Sequence, residues 1–412
     1  MTTVGIIAEY NPLHNGHVHH FEEAKRLSGA DRAVVVMSGP FTQRGEPAVA
    51  GKRARTEMAL HMGADLVLEL PVAYALQPAE WFAFGAVSLL DATGVVDSLC
   101  FGSEAGSLAQ LLPLAAFLAE ESSELKDALR RQMAEGASFP AAFSQAAAEA
   151  WAAPGEGSPE TAMAAELLRQ PNNSLGLHYL IALQRLGSAI KPLTVPRTGA
   201  GFHDPLRPGS PIASATAIRR LLLEGGSPAA YLPAYSSEIL AREQAAGRGP
   251  VQAEDFAPQL RHALLTRSAA ELRGLLDVNE GLEHRVKKVL PGLEPFSVAG
   301  LLQALKSKRY THTRLQRMLM HILLNHGKEE LSPARLAEGP AYIRVLGFRD
   351  SGRELLKAMK RTASLPVITS AARFDHPLLE RDVQAAAVHA AAYHPSASRD
   401  WFADYLEPPV MG

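Results

Sequence analysis

The chain has 412 residues, enough for two or three domains with sizeable cores. Hydrophobic residues make up 47% and charged residues 20%, which excludes a disordered or fibrous chain and reads as an ordinary globular one. With 41 Lys and Arg against 43 Asp and Glu the formal charge is −2, so a nucleic-acid partner could be held only by a local basic patch.

The opening Met1-Thr2-Thr3-Val4-Gly5 lacks the basic and then apolar run of a secretory signal. No apolar stretch approaches the roughly 20 residues of a spanning helix, so the expected location is the cytoplasm, away from membranes. The first hundred residues alternate short apolar runs (Val4 to Ala8, Ala33 to Met37, Leu66 to Leu70, Ser98 to Phe101) with amphipathic stretches (Val18 to Leu27, Lys52 to Met62, Glu80 to Ala92). This βαβα alternation predicts an α/β fold, a parallel sheet covered by helices. Cys100, the single cysteine, falls in the fourth run; it reads as a buried strand thiol and excludes an internal disulfide.

From Ser107 to about Ala165 the text turns Ala- and Leu-rich, with a break at Pro154-Gly155-Glu156-Gly157, and predicts a helical insertion over about 107–165. The sheet pattern resumes with a helix over His178 to Leu186 and a strand over Ile190 to Val195. Gly199 to Pro211 reads as loop and Thr216 to Leu223 as helix, which ends a catalytic domain of residues 1–225. Residues 226–412 read as a separate, mostly α-helical C-terminal domain. Its helices are expected over Ala253 to Leu265, Ala269 to Leu276, Gly281 to Leu290, Val298 to Leu305 and Arg314 to Asn325, with strand-like fragments at Tyr342 to Leu346 and Leu365 to Ile368.

The first strand runs into a loop holding a Pro, a Gly and two His directly before a helix, His14-Asn15-Gly16-His17. A helix start offers free N–H groups and the positive end of its dipole, two imidazoles three residues apart can touch one polyphosphate, and Gly16 allows close approach. Displacement at phosphorus is catalysed by positioning and charge stabilisation, so such histidines suit it without a nucleophilic side chain. The second element is Ser214-Ala215-Thr216-Ala217-Ile218-Arg219-Arg220, a hydroxylated helix start with a downstream Arg that could grip phosphate oxygens from the opposite side, or serve simply as a cap. Between them, Ser38 to Pro47 and Phe101-Gly102-Ser103-Glu104 follow the carboxyl ends of parallel strands, where ligands bind in open α/β sheets. Arg44 and Lys52 read equally well as contacts or as solvated charges.

The stretches His17, His19 and His20, then His61, then His203-Asp204 tempt a metal reading, but none has the spacing of a zinc site, so no protein-held metal is expected. Magnesium carried in with a polyphosphate ligand is the simpler expectation. The segment Lys306 to Arg317 holds five Lys or Arg residues and no acid, with Tyr310 interleaved; Lys306, Lys308, Arg309, Arg314 and Arg317 form a strip suited to RNA phosphates. A second cluster, Arg344, Arg349, Arg353, Lys357, Lys360 and Arg361, is diluted by Asp350 and Glu354 and reads as a solvated helix face.

Taken together the stretches Gly5 to His17, Ser38 to Pro47, Ala54 to Ala59, Gly63-Ala64-Asp65, Phe101 to Glu104, Pro171-Asn172-Asn173, Gly199 to Asp204 and Ser214 to Arg219 resemble the bacterial tRNA(Met) cytidine acetate ligases, in order through the first 220 residues. The likeness is looser beyond, at Tyr310 to Arg314 and Tyr342 to Phe348. One departure is Pro40, where the family pattern has Asn, which removes any polar contact from that side chain.

The resemblance implies a Rossmann-like catalytic domain and a helical RNA-contacting domain. It implies that acetate attacks the α-phosphate of ATP, giving acetyl-adenylate and pyrophosphate, and that acetyl then passes to N4 of the wobble cytidine of elongator tRNA(Met). It also implies an ATP site made of Ile7, Ala8, Glu9, Tyr10, Asn11, Pro12, Leu13, His14, Asn15, Gly16, His17, Val18, His19 and His20, with Gly102, one or both of Asn172 and Asn173, and Arg197. His14 and His17 would be the catalytic pair, and by superfamily analogy Ser214, Thr216 and Arg219 would face the phosphates from the far side. No protein partner is evident. Two other readings remain: a small-molecule adenylyltransferase of the coenzyme-biosynthesis type, which the long C-terminal half disfavours, and a non-catalytic RNA-binding protein that keeps ATP as a structural ligand.

Overall fold

The computed structural model describes residues 2–151, 159–197 and 211–412. The Gly199 to Asp204 stretch and the Pro154 to Gly157 break lie outside them. Five parallel strands, β1 (Thr3–Ala8), β2 (Arg32–Ser38), β3 (Leu66–Leu70), β4 (Ser98–Ser103) and β5 (Lys191–Pro196), build most of the sheet. Three more come from the end of the chain: β6 (Ile343–Phe348) runs antiparallel to β3, and β7 (Val367–Ile368) and β8 (Val410–Met411) pair with β6. The order is β5-β4-β1-β2-β3-β6-β7. The α/β sheet expected from the alternating text is therefore present, and β6 extends it where the sequence marked only a strand-like fragment.

Helices of eight residues or more, numbered in chain order, are α1 (Asn15–Ser28), α2 (Lys52–Met62), α3 (Ala79–Thr93), α4 (Leu108–Ala119), α5 (Ser123–Ala134), α6 (Phe139–Trp151), α7 (Pro159–Arg169) and α8 (Pro171–Arg185), then α9 (Ala215–Leu223), α10 (Ala234–Ala245), α11 (Ala257–Thr266), α12 (Leu282–Val289), α13 (Val298–Leu305), α14 (His312–Leu323), α15 (Asp350–Thr362) and α16 (Pro377–Ala390). The predicted insertion is α4 to α7. Among the described residues no helix is long and apolar enough to cross a membrane.

The sheet is buried on both faces, and its alternation decides which side chain meets which helix layer. Val34, Val36, Leu66 and Leu68 pack with Ala83, Ala86, Val87 and Leu90 of α3, whereas Val35, Met37 and Val67 pack with Phe21 and Ala24 of α1 and Met58 and Ala59 of α2. The C-terminal helices have their own core, including Phe256, Leu260, Leu301, Leu315 and Leu319, but Phe41, Val72 and Leu76 from the sheet-bearing half are built into it. A cut at residue 225 would therefore divide both the sheet and this core.

Charges inside the fold stitch the two ends of the chain together. Lys52, 5% exposed, donates to Glu69 at 2.7 and 3.0 Å and to Asp404 at 2.6 Å, and Arg344 reaches Glu69 at 3.0 Å and Asp404 at 3.1 Å. Lys52 is thus neither a solvated charge nor a cleft contact, and Arg344 leaves the basic face assigned to it. Each is held in a four-member cluster in which every charge has opposite neighbours. Asp65, in the Gly63-Ala64-Asp65 stretch, accepts from the Ala33 N–H at 2.7 Å and from the Ser351 hydroxyl in the first turn of α15, a structural place rather than a site.

A candidate nucleotide site at the switch point of the sheet

After β1 the chain passes to β2 and β3 on one side and then returns to β4 on the other, so the crevice between the ends of β1 and β4 is the switch point at which such sheets bind ligands. The loop after β1 leads to His14, the N-cap of α1, which has extended backbone angles of φ −135° and ψ 172°. The Gly16 N–H donates to His14 Nδ1 at 3.1 Å, and the His14 N–H donates to His17 Nδ1 at 3.3 Å. This is a capping box made of two imidazoles. Their rings stack at 3.8 Å, and Tyr10 meets His17 edge-on at 5.0 Å.

Both Nδ1 atoms accept, so in each neutral ring the proton sits on Nε2, a donor left available for a ligand. Burial, then the cations Arg197 and Arg219, pushes His14 down to about 3. Burial also holds His17 well below the ordinary histidine range, and His20 is lowered to about 4. The pair is uncharged at neutral pH. A Cβ on Gly16 would lie 2.9 Å from His14 Cε1, so the first turn has no room for a side chain there.

Arg219, on α9, donates to the Asn11 carbonyl at 3.0 Å and to Glu46 at 2.6 Å, with Thr216 Oγ1 at 3.3 Å. Ser214 caps α9 by accepting from the Ala217 N–H at 3.2 Å. The cap reading of Ser214 is therefore realised, and Arg219 does cross to the first motif. Asn15 also bridges the two, donating to the Pro211 carbonyl at 2.9 Å.

On the β4 side, Arg197 follows β5 and passes over Gly102, where a Cβ would sit 3.4 Å from Arg197 Cγ. Arg197 donates to Asn172 Oδ1 at 3.2 Å, and Asn172 Nδ2 donates to Glu104 at 2.6 Å. Asn173 is 1% exposed and its Oδ1 accepts from the Ala105 N–H at 2.9 Å, so it holds the loop after β4, whereas Asn172 stands beside Arg197. Ile7 and Ala8 end β1, Glu9 to Leu13 belong to the loop after it and Val18, His19 and His20 to α1, with Tyr10 and Leu13 buried in the core.

A family model described as HIGH Nucleotidyl Transferase matches residues 1–402. The tRNA(Met) cytidine acetate ligase of Caldanaerobacter subterraneus subsp. tengcongensis is 41% identical over 400 residues, spanning 95% of this chain and 96% of the relative. That of Bacillus licheniformis is 42% identical over 398 residues, spanning 95% and 92%. The chain belongs to the tRNA(Met) cytidine acetate ligase family of HIGH nucleotidyl transferases. A crystal structure of Thermotoga maritima TmcAL bound with alpha-thio ATP superposes with a TM-score of 0.89 at 34% identity, covering 100% of this chain and 99% of that one. The apo form of the same protein gives 0.91 at 35% identity. His14-Asn15-Gly16-His17 matches three of the four letters in the HIGH of that model's description.

Several residues that shape this ligase-family site carried no role in the sequence reading. Arg55 is wholly buried and spends its guanidinium on carbonyls: Ala50 at 3.1 Å, Glu9 at 2.7 Å, Ser38 at 3.0 Å and Gly39. It ties the ends of β1 and β2 together beneath the loops. Glu104 accepts from the Asn172 and Asn173 N–H groups at 3.2 and 2.7 Å, capping α8. Glu46 is the anion that holds Arg219. The signal available was position, since Glu46 and Glu104 lie in the very loops that follow β2 and β4. In the basic strip Lys306, Lys308 and Arg309 are exposed, but Arg317 is 9% exposed and turned toward Asp277 at 3.7 Å, so Arg317 does not belong to an RNA-facing surface.

Proposed function

We propose that this protein activates acetate with ATP and transfers the acetyl group to N4 of the wobble cytidine of elongator tRNA(Met). The observation that carries the reading is the reciprocal His14–His17 cap at the start of α1, set at the switch point between Arg197 and Arg219. Such a site offers neutral Nε2–H donors and two guanidinium groups around a polyphosphate. The resemblance of the whole chain to ligases of that name supplies the substrates.

In the first step a carboxylate oxygen of acetate bonds to the α-phosphorus as the bond to the β,γ-pyrophosphate breaks. Acetate is already an anion and needs no base. The charge growing on the leaving pyrophosphate is met by His14 and His17 from α1 and by Arg219 from α9, an attraction that strengthens as the bond stretches. In the second step the cytidine N4 amine attacks the acetyl carbonyl carbon and AMP departs, the amine losing one proton.

Magnesium would come with the nucleotide as its counter-ion. The nearby carboxylates Glu46 and Glu104 are already committed to Arg219 and to the N–H groups of α8, and Glu9 accepts from the Gln43 N–H at 2.7 Å. Phosphate oxygens and water would therefore supply most of its ligands.

The test is incubation of the purified protein with ATP, magnesium, radiolabelled acetate and unmodified elongator tRNA(Met), followed by nucleoside analysis. Label in N4-acetylcytidine is the expected outcome. ATP binding with no label in tRNA would overturn the reading in favour of transfer of AMP to a small molecule.

A further inference from the structure

A second cleft, of about 600 Å³, is lined by Lys126, Leu129, Arg130, Met133 and Phe139 from the insertion and by Arg309 from the basic segment. Arg309 thus reaches the insertion from a stretch far away in sequence. The side chains that line it include three cations and no acid.

Phe139 is 50% exposed, and its ring is backed from within by Phe143, near-parallel at 6.0 Å, which is itself followed by His178 at 6.1 Å. An exposed aromatic ring with a column of rings behind it is a fixed face rather than a loose side chain. The cations are held only by exposed acids outside the lining: Lys126 by Glu121 at 3.4 Å, Arg130 by Asp127 at 3.0 Å and Arg309 by Glu280 at 2.9 Å. Exposed pairs of this kind are weak and exchange readily for a stronger anion.

Both stretches are tied to loops that follow the carboxyl ends of the strands around the nucleotide site. The insertion leaves from the end of β4 after Gly102 and returns to Asn172 at the start of α8. The basic segment runs into α14, whose backbone at Arg317 is packed so close to Gly45, in the loop after β2, that a Cβ there would collide with it.

We propose that this cleft holds an unpaired stretch of the RNA substrate, Phe139 stacking on a base while Lys126, Arg130 and Arg309 neutralise the phosphates beside it. Stacking platforms flanked by cations are how proteins hold single-stranded nucleic acid. The inference rests on the reading of the protein as a tRNA ligase and gives the helical insertion a role in it. The site takes RNA from the strand, not from a duplex, because a lone ring can stack only on a base that is free of its neighbours.

The experiment measures binding of unmodified elongator tRNA(Met) as a function of salt, and ATP affinity in parallel, for the full-length wild type, Phe139→Ala, Phe139→Trp and the double variant Lys126→Glu with Arg130→Glu. Phe139→Ala should weaken tRNA binding about tenfold, Phe139→Trp should restore it, and the double variant should weaken it further and lower the salt slope by about 0.7 for each phosphate no longer neutralised. ATP affinity should stay unchanged throughout. Wild-type tRNA affinity and salt slope in all variants, with tRNA acetylation intact, would overturn the cleft while sparing the ligase reading; a wild type that binds no tRNA would overturn both. Parallel loss of ATP affinity would make the insertion a structural brace, and competition by poly-glutamate equal to that by an unpaired oligoribonucleotide would make the cleft an acidic-peptide site; either result overturns the proposal.

Discussion

His17 accepts a hydrogen bond from the backbone N–H of His14 at 3.3 Å while its ring stacks on that of His14, so the stack orients both rings while the His14 and Gly16 backbone N–H groups fix their tautomers. The consequence is a pair of neutral donors whose Nδ1 atoms are already used. Replacing His17 by Ala removes both the ring that orients His14 and a donor to the leaving group. The adenylation rate should fall by about 10² to 10³, while tRNA affinity stays within about twofold, because that donor acts chiefly as charge develops in the transition state. Acetate-dependent pyrophosphate release and tRNA binding measured on one preparation decide this, and equal losses in both would sink the role.

Gly16→Ala separates the site from the fold. Alanine favours a helix by about 1 kcal/mol over glycine, so the first turn of α1 gains intrinsic stability. The new methyl would meet His14 Cε1 at 2.9 Å and displace the ring from its cap. Thermal unfolding should be shifted little, while pyrophosphate release falls by at least tenfold.

Lys52 is the centre of the buried cluster with Glu69, Asp404 and Arg344. Lys52→Ala leaves two buried carboxylates facing Arg344 alone, an imbalance that typically costs about 3 to 5 kcal/mol. Urea unfolding should show that loss, whereas a change under about 1 kcal/mol would mean that water fills in for the ammonium.

Much of the site was readable because its pieces are local. The apolar runs that became β1 to β4 stand a few residues from glycines and prolines, and His14, Gly16 and His17 occupy one turn, so their chemistry could be read without knowing the fold. What stayed hidden depends on residues far apart in the chain. Arg344 interrupts an apolar run and so reads as surface charge, yet its partner Glu69 lies about 275 residues earlier on β3. Arg317 sits in a basic strip, but helical spacing turns it inward with Leu315, Met318 and Leu319 while Lys306 and Lys308 stay outside. The Ala-rich α16 carries buried Asp382 and His389 and offered no clean apolar stripe; Asp382 is explained only by the Val72 N–H and Tyr342 hydroxyl that bind it at 2.7 and 2.5 Å.

His389 gives the fold a pH dependence of known sign. It is buried, its Nε2 donates to the Ala48 carbonyl at 2.7 Å, and burial lowers it to about 4. The unfolded chain takes up a proton near pH 6.5 that the folded chain refuses, so this contribution is complete above 6.5 and is lost as the pH falls toward 4. Between pH 7 and pH 5 that is about 2 kcal/mol. Denaturant unfolding at both pH values should show His389→Asn with the smaller drop, and an identical drop in the two proteins would assign the sensitivity elsewhere.

The basic strip divides into exposed and inward-facing cations, and the two halves should fail differently. Lys306 and Lys308 are exposed, so Lys306→Glu with Lys308→Glu should weaken tRNA binding and flatten its salt dependence while unfolding stays within about 0.5 kcal/mol of wild type. Arg317→Glu places a buried carboxylate beside Asp277, whose Oδ2 already lacks a hydrogen-bond partner. Like charges at that distance and the poorer packing should destabilise the fold by at least about 2 kcal/mol, and α14 carries the disturbance to the loop at Gly45. Pyrophosphate release should therefore drop in Arg317→Glu even without tRNA, a step that the exposed pair leaves untouched. A flattened salt slope in Arg317→Glu with normal stability would instead put that guanidinium on the RNA surface.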